Sequence, residues 1–589
     1  MHVRHRPEGN TVNSSEGGEV IGDDENDRKE GNHALQALDR QRATLRHQAI
    51  VLSRSHIRPI TMFDLPIELL RNILDQFRDP AMEQSIIPWQ NLGRWHKDLR
   101  RENQKTIQNV RLVCRTLNEL ASPLLCPVLQ VNLDQASLDR AVHLSHSSRV
   151  ASGIRAIRVG LQCFSGELAS DLSRFTEFRL SKLREVEDAC DWHLERVSLA
   201  FQDPDNEQAI YDEAGAEQPG RGHREALERG RKIWSSWNDY VDRARTESAP
   251  VQVDDEYQEI LRTGYEAFCL RHHQQRQMLE SQSFVRTLAS CMVRMPNARS
   301  LGFSDEVELF TKYYHDPALL LDNALLSRLT TTALSWQEVE ETEGVHLATA
   351  RILSDLPIAI HHAGVALTDL DVGLFPCIRD QTLVSPQPHN PALWGSLRAA
   401  CQSLRRAGFG GSLRNLPIRH SHLAPDDSLH LNEYLAALVS SPDLETVYIY
   451  TRAFGLNDGR GGEGEYDLSP VLAAVKWPCI RHLSIMSVGV TQAALEALFA
   501  GLGCSVERLH LSSFELLEGR WAGALDIIRG KVRPHATIYW SSSMGGEFGP
   551  RKRRNFNDLL DFTGLETPPI FGEVAKYISG VEMKNPLRA

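Results

Sequence analysis

The chain has no C-x-x-C pair; its ten cysteines are scattered singly. That argues against a zinc site or a disulfide framework and for free thiols in a reducing compartment. It has no uninterrupted apolar run of membrane-spanning length. The amino terminus, MHVRHRPEGN, carries charges where a signal peptide would be apolar, so a cytoplasmic or nuclear protein with no membrane partner is expected. A basic excess is also lacking. With 65 Lys and Arg against 77 Asp and Glu the net charge is −12, which excludes a sequence-independent nucleic-acid binder and leaves no nucleic acid among the expected partners. Catalytic signatures are missing as well. His272-His273 and His361-His362 lack the spacing and glutamate of H-E-x-x-H, Gly408-Phe409-Gly410-Gly411 is not followed by a phosphate-holding Lys-Ser/Thr, and no G-x-S-x-G elbow occurs. The aromatic face from Ile233 to Val241 reads as packing. No enzyme activity, cofactor or metal is therefore expected.

What is present is a globular composition, 41% hydrophobic and 24% charged over 589 residues, more than one ordinary domain needs. The most informative stretch runs from Phe63 to Val128. Pro66 has a helical φ and no N–H to leave unpaired in a first turn, so a helix should start there. Ile67, Leu70, Ile73, Leu74 and Phe77 then recur at helical spacing. A second helix is expected from near Glu102 or Thr106, carried by Ile107, Val110, Val113, Cys114, Leu117 and Leu120 until Pro123 interrupts.

Leu65-Pro66-Ile67-Glu68-Leu69 with Ile73-Leu74, followed by Leu112-Val113-Cys114-Arg115, Leu117 and Leu120-Ala121-Ser122-Pro123-Leu124-Leu125, resembles an F-box, particularly the fungal type. The resemblance implies a three-helix module that binds the Skp-type adaptor of a cullin-RING ubiquitin ligase. Carried over by position, Leu65, Pro66, Leu69, Ile73, Val113, Cys114 and Leu117 face either the adaptor or the module's own small core. Two departures stand out. The segment Asp79 to Lys105 reads as a loop longer than the usual box allows, which closure entropy tolerates. Leu117 stands where many members carry Trp.

Ahead of this module, residues 1–58 read as a leader, disordered to about Asn32 and then a basic helical pattern from Ala34 to Ile57. After it, Val128-x-x-Val131-x-Leu133, a helical stripe at Leu138, Val142 and Leu144, and Ile154-x-x-Ile157-x-Val159 predict strand, helix, strand. The same apolar spacing returns at Ala298/Leu301/Phe303, Leu367/Leu370/Val372, Leu404/Ala407/Phe409, Leu444/Val447/Ile449, Ile480/Leu483/Ile485 and Val506/Leu509/Leu511. Most copies follow a helical segment: Phe284 to Met295, Pro391 to Ser403, Leu431 to Val439, Val471 to Val475, or Gln492 to Leu502. Leu525 to Ile528 followed by Ala536 to Tyr539 makes a further unit. Helix then strand, repeated, is solenoid grammar. It resembles an irregular leucine-rich-repeat array, except that Val488 and Phe514 stand near where that family has asparagine.

The fold class expected is thus α/β: a three-helix F-box at 61–128, an irregular leucine-rich-repeat-like helix-strand solenoid at 129–545 with a helical insertion at about 162–283, and a tail at 546–589 that straps or frays. Because the exit at Val128 runs straight into the first strand, F-box and array are expected to form one rigid body. The function implied is substrate recognition in an SCF-type ligase, with the Skp-type adaptor, the cullin scaffold and an unnamed target protein as partners. The alternative is an interaction scaffold that recruits no ligase. Arg551 to Arg554 reads as a solvated basic loop or, alternatively, a nuclear-import signal.

Overall fold

The computed structural model describes residues 24–53, 64–77, 94–202, 221–246, 252–305, 316–336, 338–339, 348–374, 392–410, 421–423, 428–451, 454–457, 463–503, 506–541, 543–548 and 569–588. The first 23 residues, most of the Asp79 to Lys105 segment and Arg551 to Arg554 lie outside them. The chain divides into two compact units, Met1–Asp75 and Gln76–Ala589, so the two halves of the F-box-like motif fall in different units.

In the first unit, α1 spans Asp24–Ser53 and α2 spans Ile67–Asp75. Helix α1 starts ten residues before the basic pattern at Ala34, inside the stretch read as disordered. Helix α2 begins one residue after Pro66, whose carbonyl accepts from the amides of Leu69 (3.0 Å) and Leu70 (3.1 Å).

The second unit opens with α3 (Arg94–Arg111) and α4 (Arg115–Ala121), which pack together. The sequence suggested one helix starting near Glu102 or Thr106; the structure has two, and the first starts at Arg94 inside the expected loop. The break is made by Cys114, whose extended backbone (φ −159°, ψ 169°) lets its thiol cap α4 by accepting from the Leu117 amide. A turn at Ser122–Leu124 follows. Pro123 is in such close contact with Gly153 that a Cβ there would lie 1.8 Å from the Pro123 carbonyl oxygen. With the Arg149–Glu119 ion pair (3.1 Å), this ties the segment to the first strand-helix unit.

From there the chain alternates: β1 (Val128–Asn132), α5 (Gln135–His146) and β2 (Ala156–Gly160). Four helices intervene before the next repeat, α6 (Gly166–Ser170), α7 (Leu172–Gln202), α8 (Arg221–Thr246) and α9 (Glu256–Glu280). The run resumes with α10 (Ser283–Val293), β3 (Ser300–Ser304), α11 (Ala318–Leu321), α12 (Asn323–Thr331), α13 (Ile352–His362) and β4 (Asp369–Val372). Next come α14 (Ala392–Cys401), β5 (Arg406–Phe409), β6 (Ser421–Leu423), α15 (Ser428–Leu438), β7 (Thr446–Tyr450), β8 (Phe454–Asn457) and β9 (Glu463–Asp467). The chain ends with α16 (Ser469–Ala474), β10 (His482–Thr491), α17 (Gln492–Gly501), β11 (Val506–Glu518), α18 (Trp521–Arg529), β12 (Val532–Ser541), β13 (Met544–Gly545) and α19 (Pro569–Ile578).

The fold is α/β with a 13-stranded sheet among the described residues. Its spine, β1-β2-β3-β4-β5-β7-β10-β11-β12, is parallel throughout and advances in sequence order. Period-2 alternation puts Val131, Val159, Phe303, Val372, Phe409, Ile449, Ile485, Leu511 and Trp540 in one register row, all buried. Behind them α5, α10, α13, α14, α15, α16, α17, α18 and α19 pack in succession. The repeated apolar triplets in the sequence are this interior. Two buried aromatics satisfy their polar tips on neighbouring repeats: the Trp477 indole donates to the Val439 carbonyl (2.9 Å) and Tyr434 donates to that of Leu353 (3.3 Å).

Three features escaped the sequence pattern. Helix α13 carries Pro357 in its interior, where a proline usually ends a helix. Strands β6, β8 and β9 form a side sheet joined to β10. Where asparagine is missing, β10 and β11 kink through left-handed Ser487 (φ 56°) and Ser513 (φ 50°), then run on with Val488 and Phe514 paired and buried. Thr451 donates its hydroxyl to the Ser487 carbonyl (2.5 Å) and so anchors the first kink.

Candidate interaction surfaces

In the first unit, helical spacing sorts the apolar residues of α2 into two sets. Leu70 and Leu74 are 3% and 2% exposed, whereas Ile67, Leu69 and Ile73 keep 42%, 47% and 40% of their surface in water. Pro66 is exposed and Leu65 half-buried. Pro66, Leu69 and Ile73 follow one another at i, i+3 and i+7, one stripe of the helix. The structure thus brings four of the expected residues onto one short stretch and leaves three of them open to solvent. Ile67 is also exposed, off that stripe, and was not singled out as a contact; its place in the motif between Pro66 and Glu68 was the available signal.

In the second unit, the break between α3 and α4 leaves Leu112 85% and Val113 61% exposed. Cys114 is half-buried as the cap of α4. Leu117 is 2% exposed and lies in the core, so the position where many F-boxes have Trp offers nothing to a partner here. Leu112 is the residue that sequence reasoning did not single out. Two adjacent apolar side chains cannot share one helix face, and that pairing was its signal.

The second candidate surface is the face of the spine opposite the helices. Arg158 on β2 is almost buried on it, because Gly302 on β3 leaves the strand surface bare: a Cβ at Gly302 would lie 1.8 Å from Arg158 Nη1. The guanidinium crosses that gap to stand 3.8 Å from Asp371 on β4. Burial pulls the Arg158 pKa down against the opposing charges of Asp371 and Asp369, and burial pushes the Asp371 carboxyl up against the pull of Arg158. Beside it Asp369 pairs with Arg406 on β5. The Tyr448 phenol is pushed up by burial and by its neighbours Tyr450 and Asp371. Further along, His510 meets Tyr539 edge-on, with ring centroids 4.4 Å apart, and burial lowers its imidazole pKa. The row is polar, partly charged and compensated near β4, and more open toward β12.

Among the described residues no group of three or more His, Cys, Asp and Glu side chains is arranged to hold a metal ion, and no helix is long and apolar enough to cross a membrane. The pairs singled out in the sequence are spread through helices: His272-His273 lie within α9, and His361-His362, with ring centroids 6.1 Å apart, end α13. The Gly408 to Gly411 segment begins at the end of β5; Gly410 (φ 77°) lies so close to the Tyr450 carbonyl that a side chain is excluded. The fold and these surfaces define an α/β protein with a long parallel ladder. Comparison with protein-family models, curated proteins and solved structures finds no match for the chain.

Proposed function

We propose that the protein is a substrate-recognition subunit of an SCF-type cullin-RING ubiquitin ligase, with an F-box in its first 128 residues and an irregular leucine-rich-repeat-like array after it. The observation that carries the reading is on α2. A helix that opens with the Leu-Pro-x-Glu-Leu motif keeps Leu69 and Ile73 open to water while Leu70 and Leu74 are buried. An exposed apolar stripe costs solubility and gains stability only when a partner covers it. In this reading Leu65, Pro66, Ile67, Leu69 and Ile73 are the adaptor contacts of the first unit; the second unit's own candidates are Leu112, Val113 and the Cys114 turn. Leu117 acts from the core.

The chain itself does no chemistry. It holds a target beside the ubiquitin carrier and converts a bimolecular encounter into an effectively intramolecular one. Co-purification tests the proposal: the full chain should carry a Skp-type adaptor and a cullin with it, and Leu65→Ala with Pro66→Ala should release both while leaving the thermal transition in place. Undiminished recovery of adaptor by that variant refutes the reading. Adaptor without cullin favours a scaffold that recruits no ligase.

A further inference from the structure

Helix α1 is 30 residues long, yet among the described residues no other helix or strand packs along it. Every side chain described on it, from Leu35 to Ala49, is exposed. Leu35, Leu38 and Leu45 keep 62%, 62% and 64% of their surface in water. Helices in folded proteins owe most of their stability to the packing of an apolar face, and nothing described in this chain covers these three leucines.

The spacing of the exposed residues shows what would cover them. Leu35, Leu38, Arg42, Leu45 and Ala49 follow one another at alternating steps of three and four, the spacing that keeps one seam of a helix facing a second helix. The stripe is one seam wide, narrower than the face of ~100° or more that a helix turns toward a globular core. Its flanks select the partner. Asp39 and Arg46 lie one heptad apart on one flank, and Gln41 and Gln48 one heptad apart on the other. Among the described residues neither Asp39 nor Arg46 joins an ion pair within its own chain. Two copies running in the same direction would set Arg42 against Arg42 in the seam and Arg46 beside Gln41. Turned end for end, each copy lays Arg42 against Leu45 and Leu38 against Ala49 of the other, with Asp39 opposite Arg46 and Gln41 opposite Gln48. Every contact then occurs twice, the self-complementarity of an isologous interface. Arg42 covers Leu45 with its methylene stem and keeps its charge in water.

We propose that α1 is a self-association helix, which pairs antiparallel with α1 of a second copy of this chain through Leu38, Leu45 and reciprocal Asp39–Arg46 ion pairs. Self-association of this kind is independent of adaptor binding, so either can fail without the other.

The test is sedimentation velocity of the full chain at low salt, where exposed charges are least screened. Between about 1 and 100 μM the chain should pass from monomer to dimer. Leu38→Asp with Leu45→Asp should keep it monomeric throughout and leave its thermal transition in place, since both side chains are exposed in the single chain. Arg46→Glu sets a carboxylate opposite Asp39 at both ends of the pair and should weaken the dimer at least about tenfold. Asp39→Arg should weaken it in the same way. The double variant Asp39→Arg with Arg46→Glu restores opposite signs and should restore the dimer. An equimolar mixture of the two single variants should associate as well, because each supplies the charge that the other lacks. A chain that stays monomeric at every concentration overturns the proposal. So does a dimer indifferent to Arg46→Glu, the result expected of parallel helices or of a contact elsewhere. Flotation of the chain with vesicles of anionic phospholipid, without dimer formation, assigns the stripe to a membrane surface and overturns it equally.

Discussion

Leu69→Ala combined with Ile73→Ala separates docking from folding more cleanly than any other change in this chain. Full burial of a leucine or isoleucine is worth about 1.5 to 3 kcal/mol. With 47% and 40% of their surface still in water, roughly 1 kcal/mol each remains for a partner to gain by covering them. Losing both should weaken the proposed adaptor complex by about 2 kcal/mol, or roughly thirtyfold. Removing exposed methyl groups should change the stability of the free chain by no more than about 0.5 kcal/mol per site. Leu70→Ala is the opposite case: at 3% exposure it should cost about 2 to 5 kcal/mol of stability through the cavity it leaves. The assay pairs calorimetric titration of purified Skp-type adaptor with thermal unfolding of each variant. An unchanged dissociation constant for the Leu69/Ile73 variant refutes the argument. So does a loss of stability as large as that of Leu70→Ala, since the stripe would then be core.

Gly302→Ala places a methyl group against the buried Arg158 guanidinium and should cost roughly 2 to 3 kcal/mol by displacing it from Asp371; an unshifted denaturant midpoint would count against the crossing geometry. At the carboxyl end, Asp526 receives the Tyr577 hydroxyl and the Asn585 amide and pairs with Arg588. Burial alone would raise its pKa, but those hydrogen bonds and the charges of Arg588 and Arg529 outweigh it and hold the carboxyl below its usual range. A depressed folded pKa gives stability that is present above about pH 4 and lost as pH falls through the folded value. Strap cleavage in limited proteolysis should therefore rise below about pH 4, and Asp526→Asn should bring the same cleavage at neutral pH. Burial pushes the Cys401 thiol up to about 12 and, with nearby acids, the Cys190 thiol up to about 11, whereas Cys479 is exposed. A thiol reagent at neutral pH should label Cys479 in the native chain and reach Cys401 and Cys190 only on unfolding.

The ladder was legible in the sequence because its signal is local. Each strand buries the same side of its pleat, so Leu301 and Phe303, Leu370 and Val372, or Leu483 and Ile485 repeat one spacing wherever the backbone repeats one geometry. Most of the helices before the strands announced themselves in the same way, and so did the start of α2 behind Pro66; α13 ahead of β4 did not. The break at Cys114 was not legible, because the apolar spacing runs through it unchanged and only the extended backbone of one residue divides the helix. Helix α13 was not legible either: it carries Pro357 in its interior, where sequence rules expect a stop. The kinks at Ser487 and Ser513 were hidden too. Serine does not advertise a positive φ, and the buried Val488 and Phe514 looked like defects in a repeat when they are its continuation.

For the α2 stretch the division is the same. Composition and spacing alone determined that a helix follows Pro66, that its apolar residues fall at i, i+3 and i+4, and that repeated helix-strand units come after it. They could not divide Leu69 and Ile73 from Leu70 and Leu74, or Val113 from Leu117, because all are apolar residues at helical spacing. Only the tertiary structure decided which of them water still reaches. The same holds for Arg158 and Arg481: two arginines on one ladder, the first folded down over a bare glycine and the second left in solvent. Burial is a property of what packs nearby, and neighbours hundreds of residues apart in the chain leave no mark on local periodicity.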